Sequence, residues 1–420
     1  MSGGRNPESL WRHRDFLLLW SGQSMSLIGS QITVLALPLL AVSALGASVF
    51  EVGLLTTFGT LPWLLVSLPA GVVVDRTRKR SLMLWCDLGR AAILLTVSIA
   101  GLAGQLTIWH LYAVAMLSGA CTVFFNAAYL SFPPAMLEKA QFVDATSKIS
   151  TASALANVLG PGVAGFLIGL VGAARAVAVD AVSCLVSAAT LLLIRHREPP
   201  PAPPADGERS FRKEVAVGLR LIVGNRSLTY ITFTNSFGGF LVISITALWV
   251  PYAVRELGWS AQALGVVMGT SAIGGLLGSL LAKRLIERYG LAAVLLGTPV
   301  AFAPGQIVAG AVSPGLGGMI AVTVGFAVTS SAVLVYNIAQ RAYRLHSCPP
   351  DRVGRLNATI NWLQWGLRPL AGLAAGALGT WLGLQPAVLV FACLLPLCAI
   401  TLWLSPLRAE AASVNQVGRR

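Results

Sequence analysis

Apolar residues fall along this chain in long unbroken runs, not in the alternation of a half-buried strand or the stripe of a surface helix. Twelve such runs can be marked, near 16–43, 50–74, 81–102, 107–130, 145–171, 173–194, 228–253, 260–283, 290–310, 315–339, 355–381 and 386–406. Each meets the ~20 residues a helix needs to cross a hydrocarbon core. Several are longer, which implies tilt or extension beyond the bilayer. The widest interruption, RHREPPPAPPADGERSFRKEV, divides the runs six and six. The pattern therefore predicts a six-helix bundle over 1–194, a cytoplasmic linker over 195–227 and a second six-helix bundle over 228–420. Within the linker, Pro199 to Pro204 reads as a stiff extended stretch. Phe211 to Asn225 reads as an amphipathic helix lying on the membrane surface.

Composition agrees with a lipid environment. The chain is 55% hydrophobic and 11% charged, with a mean hydropathy of +0.75; soluble chains carry roughly 25% charged residues. The net charge of +14 does not indicate nucleic acid, because the basic residues come in short bursts between apolar runs. Twenty-six of the 30 Lys and Arg lie in the termini, the linker and the connections that follow even-numbered runs. Arg90 and Arg368 fall inside runs, which leaves Arg175 and Arg255 for the opposite side. This asymmetry places both termini in the cytoplasm. An all-α, multi-pass membrane protein is the expectation, with the bilayer as its main partner and a monomer as its state. The six cysteines show no metal-ligand spacing and read as small buried hydrophobes. The first run is too long for the core of a cleaved signal peptide. Four scattered histidines and two aspartates within the runs supply no convergent catalytic set, so neither an enzyme nor a cofactor is expected.

Ionisable groups within a bilayer are costly and stand as functional candidates. Asp87 and Asp180 are the two carboxylates, and each is a candidate for proton coupling. Asp180 reads equally as a structural residue bonded to neighbouring serines or to Arg175. In the eleventh run Asn357, Asn361, Gln364 and Arg368 share one helical face, flanked by Trp362 and Trp365. Softer polar faces carry Gln23, Ser26, Ser30 and Thr33 in run 1, and Ser118, Thr122, Asn126 and Tyr129 in run 4. Run 7 has Thr234, Asn235 and Ser236; run 10 has Asn337, Gln340, Arg341 and Arg344. Gly165-x3-Gly169, Gly265-x3-Gly269, Gly274-x3-Gly278 and Gly372-x3-Gly376 are small-residue faces that let helix backbones approach closely.

One stretch concentrates charge. In PAGVVVDRTRKR, Asp75, Arg76, Arg78, Lys79 and Arg80 occupy five of six consecutive positions, and a degenerate copy, Gly278-x3-Ala282-Lys283-Arg284, follows run 8 without the carboxylate. Gly71-x3-Asp75-Arg76-x-Arg78-Lys79-Arg80 resembles the signature loop of the major facilitator superfamily, with Arg78 in place of that family's second glycine. LWRHRDFLLLWSGQSMSLIGSQIT (Leu10 to Thr33) and LANVLGPGVAGFLIGLVG (Leu155 to Gly172) resemble its multidrug and macrolide efflux branch, which includes siderophore exporters. Gly160-Pro161, with Gly165 beyond it, resembles part of that branch's antiporter motif. Ser30 stands where the branch often has an acid.

The resemblance implies a bacterial inner membrane and twelve spans in two pseudo-symmetric bundles, with spans 1, 4, 7 and 10 lining a central cavity and spans 5 and 8 meeting between the halves. It implies a cytoplasmic latch in which Gly71 shapes the loop and Asp75 accepts from the first amides of span 11. In that latch Arg76 and Arg80 pair with Asp87 alongside Arg90. Gln23, Ser30, Asn126, Tyr129, Asn235, Asn337, Gln340, Asn357, Asn361, Gln364, Trp365 and Arg368 become candidates for the substrate cavity. The implied activity is export of amphipathic small molecules by alternating access in exchange for protons, since no GxxxxGK[ST] loop is present to use ATP. The alternatives are a siderophore or metabolite exporter, or a facilitator without proton coupling.

Overall fold

A chain in hydrocarbon must satisfy its backbone from within, and helices do so segment by segment. A computed structural model describes residues 10–138, 141–196, 198, 211–348 and 350–409, and among these the regular structure is helical throughout. The proline stretch at 199–204 lies outside the described residues. The first part of the chain forms α1 (Arg14–Leu39), α2 (Val49–Leu65), α3 (Ser67–Arg76), α4 (Lys79–Leu102), α5 (Ile108–Ser131), α6 (Pro133–Met136), α7 (Phe142–Val171) and α8 (Ala173–Leu193). The second forms α9 (Phe211–Gly224), α10 (Arg226–Arg255), α11 (Ala261–Tyr289), α12 (Leu291–Gly297), α13 (Phe302–Ala311), α14 (Leu316–Ser347), α15 (Pro350–Leu382), α16 (Leu384–Leu394) and α17 (Pro396–Trp403).

Ten helical segments are long and apolar enough to cross a membrane, with α12–α13 and α16–α17 each counted as one. The pair α2–α3, bent by 56°, makes an eleventh candidate. At 33 residues α15 is long enough, but its amide and arginine face keeps it below the same apolar mark. Helix starts carry side-chain caps where the chain supplies them: Thr107 accepts from the His110 amide, Asn225 from Leu228 and Ser260 from Ala263. Two of the connections that need glycine correspond between the halves. Gly172 (φ +85°) turns α7 directly into α8, and Gly383 (φ +91°) turns α15 into α16. These are the same junction, between fifth and sixth spans, in each half, and a Cβ at either would be strained.

Contacts divide the chain into two compact units, Met1–Gly46 with Phe58–Asp206, and Ala47–Thr57 with Gly207–Arg420. The same pairings recur inside both. In the first unit α1 packs on α7 and α8, and α4 packs on α5 and α8. In the second, α10 packs on α15 and α16, and α13 on α14 and α16. Counted as spans, these are the first with the fifth and sixth and the third with the fourth and sixth, each time. Residues 47–57, expected with the first bundle, group with the second because glycines meet there. A Cβ on Gly53 would fall 2.5 Å from the Gly372 carbonyl oxygen and 2.6 Å from the Gly376 Cα. Thr57 seals the contact with a 3.0 Å bond to the Pro369 carbonyl.

The glycines of α11 serve a contact within their own unit. A Cβ on Gly274 would lie 2.1 Å from the Ala327 carbonyl oxygen, and one on Gly278 2.5 Å from that of Ser331, so both press on α14. Gly162, on α7, has open space at the same position. Gly274→Leu should therefore lower stability by about 1–3 kcal/mol through overpacking. Gly162→Leu should be neutral or slightly stabilising, because a helix-interior glycine costs roughly 0.5–1 kcal/mol. Thermal unfolding of both variants in the same detergent checks the contrast.

Candidate functional site

The first unit buries a cluster of charge among α1, α4 and α8. Its assembly starts from small residues on α1. A Cβ on Gly22 would meet Thr190 at 2.1 Å and one on Gly29 would meet Ser183 at 2.1 Å, so α1 can lie close along α8. That approach brings Thr33 to Asp180, whose Oδ2 accepts a 2.5 Å bond from the Thr33 hydroxyl. Asp180 Oδ1 accepts from Ser183 at 3.2 Å. From α4, the Arg90 guanidinium lies 3.9 Å from Asp180 and donates to Ser30 Oγ at 2.8 Å. Asp87, one turn before Arg90, is fully buried. The Ser187 hydroxyl faces it, but no hydrogen bond reaches either carboxylate oxygen. Asp87 and Asp180 thus lie buried near Arg90, with Asp180 its ion-pair partner among the described residues. Were both carboxylates ionised, a single guanidinium would leave one negative charge unbalanced in a place with no solvent to disperse it.

This arrangement reassigns several expected partners. Arg175, offered as a partner for Asp180, is exposed near the Gly172 turn. Arg80 does not pair with Asp87. Its guanidinium donates to the carbonyls of Leu191 and Leu192 at 2.7 and 2.8 Å, closing the last turn of α8. The reason is reach: Asp87 lies seven residues deeper, about 10 Å along the helix, and faces the interior. Two carboxylates not singled out from the sequence complete this end. Glu198 accepts from the Lys79 and Arg80 amides at 2.7 and 2.6 Å, occupying the N-terminus of α4. Asp15 accepts from the Arg195 and His196 amides. Acids beside basic loops in a chain so poor in charge were the available signal. Gly71, Asp75 and Arg76 are exposed, and Asp75 has neither a hydrogen bond nor an ion pair among the described residues.

Other expected residues of this unit have structural partners. Gly160 receives the Gln31 side chain, 2.4 Å from where its Cβ would sit, and Gln31 donates to Asn157 at 3.0 Å. Pro161 and Gly165 are buried on the same helix. Tyr129, expected in a cavity, belongs to the apolar core with Leu19, Met83, Phe125 and Phe132, because its ring stacks on Phe125. Asn126 is half-buried. Gln23 is buried with its Oε1 unpaired.

The second unit holds neutral amides around one cation. Gln340 donates to Asn235 at 3.1 Å and Asn337 at 2.7 Å. Its Oε1 accepts from Arg344 at 2.5 Å, and Arg344 donates onward to Asn357 at 3.4 Å. Four expected cavity residues therefore tie α10, α14 and α15 together. Further along α15, Asn361 is exposed and Gln364 and Trp365 are half-buried. The Arg368 guanidinium lies 3.5 Å over the Trp365 ring. It has no carboxylate partner among the described residues, and its Nε has no acceptor. Removing Arg90 from the first unit should be severe: Arg90→Ala should cost roughly 3–5 kcal/mol by leaving Asp180 without a countercharge. Adding Asp180→Ala should recover part of that loss, with a coupling of about 0.5–3 kcal/mol read from a double-mutant cycle in denaturant.

Comparison with known proteins places this geometry. The family model described as Major Facilitator Superfamily matches residues 19–361 and 240–419. Macrolide efflux protein A of Streptococcus pyogenes is 22% identical over 272 residues, 63% of this chain and 65% of the relative, so the chain spans a little under two thirds of that protein's length. The multidrug efflux pump Tap of Mycolicibacterium fortuitum is 25% identical over 384 residues, 86% of this chain and 88% of the relative. Among solved structures, the nucleoside transporter NupG superposes with a TM-score of 0.76 at 15% identity, covering 92% of this chain and 98% of its own. A bacterial homologue of the iron transporter ferroportin gives 0.75 at 14% identity, covering 94% and 98%. Those two likenesses speak to fold alone. With the family model extending over nearly the whole chain, this multi-pass membrane protein belongs to the Major Facilitator Superfamily of transporters.

Proposed function

We propose that this transporter exports amphipathic small molecules across a bacterial inner membrane by alternating access, in exchange for protons. The observation that carries the coupling is the cluster of Asp87, Arg90 and Asp180. Two buried carboxylates lie near one guanidinium, Asp180 paired with it and Asp87 without a hydrogen bond, and a proton taken up there would balance the remaining charge without water. The bond from Arg90 to Ser30 on α1, and those to Asp180 from Thr33 on α1 and Ser183 on α8, make the charge state of the cluster matter to three helices at once. Export is supported by the relatives, whose names describe macrolide and multidrug efflux. The residues expected from the sequence to line a cavity are amides and aromatics with few charges, a composition that suits a bulky amphipathic compound.

The test is efflux of a panel of macrolides and amphipathic dyes from proteoliposomes, with and without an imposed proton gradient. Transport should follow the gradient. Asp180→Asn and Asp87→Asn should each remove the gradient's effect while leaving downhill substrate exchange. Gradient-independent transport by the unaltered protein would leave facilitated diffusion as the reading. Asp75→Asn should slow turnover without reducing membrane insertion if the loop acts as a latch, and undiminished turnover refutes that role.

One observation favours a second reading of the substrate. Arg368, stacked on Trp365 with no carboxylate to balance it among the described residues, suits an acidic group on a metabolite or siderophore. Arg368→Gln should then abolish transport of the acidic members of the panel and spare the neutral ones.

A further inference from the structure

The second unit carries an apolar groove that its own side chains leave unfilled. It has a volume of about 730 Å³, within the ~300–1,000 Å³ range of small-molecule sites. Its walls come from α11, α12 and α14. Small residues make its floor, among them Gly274, Ala293, Ala301 and Ala327, whereas Leu277, Leu281, Val324 and Val328 stand exposed at its rim. The cause is the close contact already described. Because Gly274 and Gly278 let α11 press on α14, no large side chain rises between those helices. The change from α12 to a 3-10 turn at Thr298–Ala301, around Pro299, brings no bulky residue into the gap.

The groove has a charged end. Along α11 its lining runs from Gly274 through Leu281 and Leu285 to Tyr289, a rise of about 22 Å at 1.5 Å per residue. That length matches one leaflet's hydrocarbon, about half of a ~30 Å core, with the interfacial zone added. Arg284 and Arg288 follow Leu281 and Leu285 at i+3 and so continue the same face. Both are exposed and neither has an ion-pair partner among the described residues. The nearby acid Glu287 is taken by Lys283 at 3.7 Å, and Arg288 rests 5.5 Å from the Tyr289 ring centroid. By the distribution of basic residues this end faces the cytoplasm.

We propose that the groove is a binding site for one anionic phospholipid of the cytoplasmic leaflet. An acyl chain lies along the small-residue floor, and the phosphate-bearing headgroup sits against Arg284 and Arg288, with Tyr289 at the interface between them. A zwitterionic lipid fills the groove equally well with its chain but forgoes the net attraction, worth about 1 kcal/mol per basic residue near a membrane surface. The site is separate from the buried polar clusters of both units, and its test requires no transport.

The experiment incubates the purified full chain with mixed vesicles of phosphatidylglycerol and phosphatidylethanolamine in equal parts. Retained lipids are then counted by native mass spectrometry after extraction into detergent. The intact protein should retain one phosphatidylglycerol in preference to phosphatidylethanolamine. Arg284→Ala with Arg288→Ala should lower that preference on the order of ten- to thirty-fold, and Arg284→Lys with Arg288→Lys should keep it. Ala293→Leu with Ala301→Leu, which fills the half-exposed floor, should remove the retained lipid of either kind. Equal retention of the two lipids by the intact protein overturns the proposal, as does unchanged retention by the alanine pair or by the filled groove. Each variant is scored at a thermal midpoint matched to the intact protein, and the lysine pair guards against a misfolded alanine pair.

Discussion

Hydrocarbon offers no partner to a polar group, and this constraint shapes both units. Every backbone amide and carbonyl must be met by the chain itself, hence the unbroken helical content of the described residues. The same rule extends to side chains. Asp180 is met by Thr33, Ser183 and Arg90, drawn from three helices. Gln340 is met by Asn235, Asn337 and Arg344. Polar residues in this protein therefore act first as joints between helices. Asp87 and Arg368 are charged groups among those whose partners fall short.

The two units share a packing scheme and differ in charge. Their repeated helix pairings and the matching turns at Gly172 and Gly383 express a common design. Yet the first unit buries two carboxylates around a cation, and the second buries amides around a cation with no acid among the groups that bond it. Carboxylates are groups that can take up a proton and amides are not, which is the chemical difference between the two clusters. The division mirrors the loops, since Asp75 has Ala282 as its counterpart.

Glycine sets where helices touch, and its effect on the surface is as large as its effect inside. At Gly22 and Gly29 it draws α1 onto α8 and brings Thr33 within reach of Asp180. At Gly274 and Gly278 it draws α11 onto α14 and leaves the uncovered groove beside them. Close backbone contact and an unfilled surface are one event seen from two sides.

Much of this was legible in one dimension. Run lengths announce the apolar helices and the glycine-to-arginine loop announces the family, because each signal is local and counts residues against a fixed length or pattern. The polar helix α15 could be read despite its low hydropathy, since Asn357, Asn361, Gln364 and Arg368 repeat at helical spacing. Partner choice was another matter. Arg80 and Asp87 share one helical face seven residues apart, but the rise of about 10 Å between them is beyond their reach. The rotation of α4 against α8 instead gives Arg80 the Leu191 and Leu192 carbonyls and gives Arg90 to Asp180, 90 residues away in sequence. Tyr129 likewise sits on a polar face by periodicity but joins the core through Phe125. Sequence settles which residues must enter the membrane, because insertion depends on summed hydropathy. Which of them meet depends on helix rotation and close approach, and those emerge only when all the helices pack.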